Sequence, residues 1–420
     1  MAHDEAYYQA EKKIEEALQS GATELVLKHI GFTRILDSLG ELTQLQKLDL
    51  SSNQLTSLPR ALLQLTQLQS LNLSDNNLET LPDWFEQLTQ LHALYLSDNN
   101  LEILPDWLGQ LTQLQSLNLR NNQLIALPDW VGQLTLLQSL NLSSNKLKTL
   151  PESLGELTQL QFLSLSNNKL ISLSESLGRL SQLKNLDISS NQLIILPSAL
   201  GRLSKLQELE IASNQLTVLP DSIGDLKELR KILLQENSLT SLPESFGQLT
   251  DLIVLGLGKN TFSKIPDSMY KLKNLEALWI DNFAQFSNWI RALKSLSSIR
   301  SSECGLVVIP NWIGELNELT ELTLKGNFIS DLPPSLAQLE HLKYLYLDDN
   351  PLNPELAEAY KQGLPAVMAY LRAKAESQIT LNEAKLILIG EGEVGKTCLL
   401  DSVDENLTAK AGLAQPNSRF

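Results

Sequence analysis

The stretch LQKLDLSSNQLTSLPRALLQLTQ, from Leu45, aligns with LQSLNLSDNNLETLPDWFEQLTQ, from Leu68, at a period of 23 residues. The shared frame is L-x-x-L-x-L-x-x-N-x-L-x-x-L-P-x-x-L-x-x-L-x-x, and it runs over residues 24–352. A period sustained this long constrains the fold more than any other feature of the chain. Each repeat is too small to bury its own apolar face, so neighbours must stack and share one continuous core. A length of 420 residues alone would suggest two or three domains, and the repeat overrides that expectation.

The spacing has physical causes. In L-x-L the leucines point inward and the residue between them outward, the period-2 signature of a short strand. Strands from successive repeats then pair in parallel into one long sheet. Burying each inward leucine stabilises the coil by roughly 1.5–3 kcal/mol. The asparagine turns the chain out of the strand, and the Leu-Pro step opens the far side, where proline fixes φ and needs no donor. At about 4.8 Å per strand, some fifteen coils make an arc about 70 Å long.

This frame resembles the leucine-rich repeat. The resemblance implies an α/β fold: a horseshoe solenoid of about 15 coils over residues 24–352, with a parallel β-sheet on its concave face. It also implies that the asparagine amide hydrogen-bonds backbone groups inside the coil. That asparagine recurs from Asn53 to Asn260 at every coil, then at Asn327 and Asn350. Two coils break the pattern, with Phe283 and Cys304 at its place and 21 residues between them. Phe283 either fills the coil centre or marks a hinge or partner-specific kink; Cys304 stands in as a buried polar residue. Helical caps are expected at both ends. Residues 1–23 form the first, with Tyr7, Ala10, Ile14, Ala17 and Leu18 on one helical face. Residues 353–378 form the second, with a short helix from Pro354, a break at Gly363 and another helix from Pro365.

Bulk composition narrows the function. The net charge is −16, which argues against sequence-independent binding to nucleic acid or anionic membranes. Two cysteines, Cys304 and Cys398, form no metal-type pair and fit a reducing compartment. The N-terminus lacks a basic region followed by an apolar run, and no stretch of 18 apolar residues exists. A cytoplasmic protein is expected.

The outward strand positions build the concave face. They are mostly small and polar over the first two-thirds of the repeats, then carry Leu233, Trp279 and Arg300, with Tyr344 and Tyr346 nearby. Trp, Tyr and Arg are enriched at protein interfaces. These five residues are therefore the candidate partner-binding patch, the alternative being that they pack against the solenoid's own C-terminal helices. Trp84, Trp107 and Trp130 recur at one position of three adjacent repeats. They read either as side chains partly buried between coils or as an exposed ridge on the convex side.

One motif stands apart. Gly390-Glu391-Gly392-Glu393-Val394-Gly395-Lys396-Thr397 fits G-x-x-x-x-G-K-[ST], followed by Cys398. Lys385–Ile389 reads as a buried strand entering this loop. Glycines let backbone N–H groups approach phosphate oxygens, and a following helix N-terminus adds partial positive charge. Lys396 would reach the β/γ-phosphates, and the Thr397 hydroxyl would hold Mg²⁺. NEAKLILIGEGEVGKT after repeats of this kind resembles the Roco family. That resemblance implies a Ras-like GTPase domain called Roc, a dimerising COR domain after it, and in some members a Ser/Thr kinase domain.

The residues after Thr397 contain no D-x-x-G loop and no guanine-reading N/T-K/H-x-D loop. Residues 379–420 are therefore expected to be an incomplete P-loop GTPase segment, poorly ordered after about 378, and the chain to be catalytically silent. GTP or GDP with Mg²⁺ is implied for the complete domain, with no tight binding expected in this chain. The expected function is a protein-interaction scaffold, the alternative a nucleotide-binding GTPase. The partner is another protein or the protein's own Roc and COR domains. Without a COR segment the chain is expected to be a monomer.

Overall fold

The computed structural model describes residues 2–34, 36–281 and 287–387. Fifteen three-residue strands, from β1 (Glu24–Val26) to β15 (Tyr344–Tyr346), pair in chain order into one parallel sheet. Coils are numbered here after their strands. Most registers step by 23 residues, as in Lys47↔Ser70 between β2 (Lys47–Asp49) and β3 (Ser70–Asn72). Between β12 (Ala277–Trp279) and β13 (Ser298–Arg300) the pairing is Ala277↔Ser298, so coil 12 is two residues short. There a short helix α2, Ser287–Ile290, replaces the 3-10 turn that the convex side carries in most other coils. Trp289 and Ile290 fill that coil's interior. Phe283 lies outside the described residues.

The core is one ladder of leucines running the length of the arc, closed at intervals by Phe32, Phe85 and Phe246. Its polar seam is the asparagine column. The Asn122 Nδ2 donates to the carbonyls of Leu96, Leu119 and Arg120, at 2.9, 3.1 and 3.2 Å. Its Oδ1 accepts from the Leu101 N–H at 3.0 Å. Leu96 and Leu101 belong to the preceding coil, so each asparagine ties two coils together. At Cys304 the bonds come from the next coil's ladder residue: Asn327 Oδ1 accepts from both the Cys304 N–H and its thiol, at 3.2 and 3.3 Å.

Directly before the ladder position the backbone turns left-handed, at Ser52, Asp75, Asp98, Asn121 and their equivalents, with φ near +55°. The periodic frame does not flag this position. Asp, Asn and Gly, which tolerate αL well, hold several of these positions, but Ser, Glu236, Lys259 and Glu303 hold others, so residue type alone does not mark the turn.

The N-terminal helix α1, Ala2–Ser20, lies against β1 and the first 3-10 turn, and buries Ala10, Ile14 and Ala17. Tyr7 is half-buried, its ring 5.8 Å from Phe32 and its hydroxyl bonded to the Arg34 carbonyl. Leu18 departs from the expected face and is exposed. At the other end α3, Pro354–Gln362, is capped by the Asn353 side chain. It breaks at Gly363, whose φ of +100° suits glycine, and leads into α4, Leu364–Ile387. Helix α4 packs on the 3-10 turn of coil 14, burying Val367, Met368 and Leu371. The strand expected at Lys385–Ile389 is not formed over 385–387, where α4 continues. A strand needs partners from other segments, whereas a helix satisfies its backbone within the segment. Leu381, Glu383, Ala384 and Lys385, which lead into that stretch, are all strong helix formers.

Candidate partner-binding surface

The end of the concave sheet gathers four of the five expected contact residues on adjacent or next-adjacent strands. Trp279, the last residue of β12, is register-paired with Arg300, the last of β13. The Arg300 guanidinium sits over the indole, with Cζ 5.4 Å from the ring centroid. It also reaches β14 (Glu321–Thr323), where Glu321 Oε1 lies 3.2 Å from Nη2. On β15 the Tyr344 and Tyr346 rings stand on the same face, nearly parallel at 4° and 6.5 Å between centroids. They are 56% and 42% exposed, so the C-terminal helices leave them uncovered. The Tyr360 hydroxyl of α3 reaches only the strand's exit, donating to Asp348 and accepting from the Leu347 N–H. Burial is the main cause that holds the Tyr360 phenol above its ordinary value.

Leu233 corrects the expected patch. It occupies the outward position of β10 (Lys231–Leu233) but is only 9% exposed. On one side is Glu210, drawn by Lys231 into a 2.6 Å ion pair. On the other is Gly256, and the Gln235 carboxamide lies 2.5 Å from where a Cβ on Gly256 would stand. The glycine admits this polar side chain beside Leu233, and Leu233 offers little surface.

Charge at this end of the face is largely cancelled between neighbouring coils. Besides Arg300–Glu321, Lys259 pairs with Glu236 at 2.7 Å and Lys325 with Asp349 at 3.5 Å. Hydrogen bonding from Lys259, with help from Ser213, holds the Glu236 carboxyl below its ordinary value. Asp281 moves the other way: burial raises its carboxyl, although the Lys259 and Asn260 N–H groups and the Lys259 charge oppose this. The surface therefore presents aromatic faces and matched pairs rather than a net field. Exposed ion pairs of this kind are screened by water and salt and add little to stability. Among the described residues no group of three or more His, Cys, Asp or Glu side chains is placed to hold a metal. Nor is any helix among them long and apolar enough to cross a membrane.

The tryptophans at one repeat spacing are not an exposed ridge. Trp107 and Trp130 are buried and Trp84 half-buried, with Trp84, Phe85 and Trp107 packed ring to ring at 5.5 Å steps. The phosphate-loop residues Gly390 to Thr397, and Cys398, lie outside the described residues.

Comparison with known proteins agrees with this architecture. A model of the leucine-rich repeat region matches residues 33–125, 108–215 and 221–306. A leucine-rich repeat protein of Leptospira interrogans superposes with a TM-score of 0.72 at 35% identity, over 84% of this chain and 97% of that one. The ectodomain of the Arabidopsis thaliana receptor kinase GASSHO1/SCHENGEN3, solved with Casparian strip integrity factor 2, gives 0.57 at 32% identity. It covers 79% of this chain and 45% of that one. In sequence, the chain is 32% identical over 109 residues to mouse leucine-rich repeat serine/threonine-protein kinase 1. It is 37% identical over 100 residues to a prokaryotic Roc-COR-CHAT protease. These matches take in 26% and 21% of this chain but only 5% and 9% of those proteins. By its repeat frame, its fifteen-stranded parallel sheet and these matches, the chain belongs to the leucine-rich repeat family.

Proposed function

We propose that this chain is the recognition arm of a Roco-type signalling protein in the cytoplasm, binding another protein, or the Roc and COR domains of its own, on the C-terminal third of its concave sheet. The observation that carries the reading is the cluster of Trp279, Arg300, Tyr344 and Tyr346 on strands β12, β13 and β15, with Arg300 and both tyrosines exposed and the indole half-buried beneath Arg300. Aromatics on a preformed sheet lose little side-chain entropy on binding, and the Arg300 side chain is already held over Trp279 and against Glu321. The similarity to a receptor solved with its protein factor supports a partner on such a surface. The names of the mouse kinase and the Roc-COR-CHAT protease support the Roco setting. Helices α1 and α3–α4 act as end caps, covering the first and last apolar layers.

The nucleotide side of the proposal rests on sequence alone. Gly390–Thr397 and Cys398 supply the phosphate-binding turn of the Roc domain, with Lys396 on the phosphates and Thr397 on Mg²⁺. Calorimetric titration with Mg·GTP, comparing the chain with Lys396→Ala, tests it; heat that survives the substitution removes the motif from the site. The partner surface is tested by affinity capture with the wild-type chain and with Trp279→Ala/Tyr346→Ala. Polypeptides held by the first and released by the second are expected. An identical bound set would place recognition elsewhere.

A further inference from the structure

We propose that one flank of the arc, over coils 5–9, docks an acidic amphipathic helix of a partner protein. This flank is built by the five residues after each ladder asparagine, which carry the chain from the concave sheet to the convex side. From coil 5 to coil 9 they read QLIAL, KLKTL, KLISL, QLIIL and QLTVL. Between the inward leucines, Ile125, Ile171, Ile194, Ile195 and Val218 stand out, each 52–60% exposed.

Charge on this strip has one sign. Lys146 and Lys148 on coil 6 and Lys169 on coil 7 are exposed, and the five segments hold no carboxylate in a chain of net charge −16. Among the described residues none of the three ammonium groups has an ion-pair or hydrogen-bond partner. The nearest carboxylates, Asp129, Glu152 and Glu175, open the convex turns beyond the flank. That of Glu175 is held by the Ser198 and Ala199 N–H groups. On coil 4 the segment NLEIL brings Glu102, and on coil 10 SLTSL has neither lysine nor isoleucine, so the strip ends there. Free ammonium groups among exposed isoleucines are complementary to carboxylates set among apolar side chains.

The backbone and the spacing select a helix. The first N–H of each segment already donates to the preceding coil, as Lys146 to Leu124, Lys169 to Leu147 and Gln192 to Leu170. The next N–H is held by a ladder asparagine, as Leu147 by Asn168. An added strand would need such groups, whereas a helix satisfies its own backbone and docks through side chains. Coils follow one another at about 4.8 Å, close to the helical pitch of about 5.4 Å. A helix laid along the flank therefore sets about one turn against each coil. An extended chain repeats its side chains on one face at about 6.6 Å and falls out of step.

The test uses the full chain and a fluorescein-labelled synthetic peptide of about 16 residues, enough helix for five coils. It carries leucines one turn apart with glutamates beside them. Fluorescence anisotropy should show saturable binding that weakens toward about 1 M salt, where charges are screened beyond about 3 Å. Lys148→Glu/Lys169→Glu should weaken it by about tenfold or more, and so should Ile194→Ser/Ile195→Ser. A peptide with glutamine in place of glutamate should bind more weakly and lose the salt dependence. Trp279→Ala should change nothing, which separates this surface from the aromatic cluster. No saturation at about 1 mM peptide overturns the proposal. So does equal binding of the two peptides, or binding that Lys148→Glu/Lys169→Glu leaves intact while circular dichroism shows the variant folded. Loss through Trp279→Ala would move the peptide to the concave sheet and overturn it too. Phosphatidylserine vesicles that bind through the same lysines when the peptide does not would overturn the helical occupant. A doubled mass in light scattering that Lys148→Glu/Lys169→Glu abolishes would put a second copy in its place.

Discussion

At the residue scale the ladder asparagine carries the largest local stake. Asn122 serves four backbone groups, three of them on Leu96, Leu101 and Leu119, deep in the core. Water does not reach them. Asn122→Ala takes the acceptor from the Leu101 N–H, while the Leu96 and Leu119 carbonyls keep Asn99 and Asn145 as donors. A buried polar group without a partner costs about 1–3 kcal/mol, and a loss of that size is expected in urea denaturation. Asn77→Ala, at an exposed position two coils earlier, should stay within about 0.5 kcal/mol of wild type. Equal effects would mean that the amide is not the joint between coils. Arg300 shows the opposite balance. Its pairings with Trp279 and Glu321 are half-exposed, so Arg300→Ala should barely move stability and should instead show in partner capture.

At the element scale, curvature follows from how closely the convex turns approach. Gly247 lies where an added Cβ would stand 2.3 Å from the Ser268 carbonyl oxygen of the next coil. That oxygen belongs to the backbone and cannot swing away. Gly247→Ala must therefore push adjacent turns apart, at about 1–3 kcal/mol, again read from the denaturation midpoint against the exposed Ser241→Ala. The docking of α4 has a pH signature. Burial raises the Asp331 carboxyl, but the Lys374 ammonium, the Leu332 N–H and the Tyr370 hydroxyl outweigh it, and the net value is below the ordinary 3.8. A depressed carboxyl stabilises the fold fully above the unfolded value and loses that contribution as pH falls through the folded one. Asp331→Asn should lower Tm slightly at pH 7, in keeping with a partly exposed pair worth about 1 kcal/mol or less. The gap between the two proteins should narrow as pH falls below the ordinary carboxylate range, and a gap that acid leaves unchanged would assign it to packing.

At the scale of the whole molecule, what could be read from sequence was whatever the 23-residue period encodes. Leucine, asparagine and proline columns give strand, turn and core directly, because each depends only on its place in the coil. What could not be read depends on neighbours. Leu233 looks outward in the frame, and only the Gly256 beside it explains how Gln235 comes to lie there. Trp107 and Trp130 look like surface because that position usually holds serine or alanine, yet the coils close over them. Lys385–Ile387 opens the strand-like stretch KLILI, yet over these three residues the chain continues α4. The exposed Ile103, Ile125, Ile171, Ile194 and Ile195 stand at positions that the repeat frame leaves unspecified. The assembled shape makes a last prediction. Fifteen strands in one unbroken order give an arc whose length grows with every coil. A compact chain of 420 residues would have a radius of gyration of about 22 Å. Small-angle scattering of dilute protein should give a clearly larger value. A value near that of the compact chain would mean that the coils fold back on one another rather than stacking in one line.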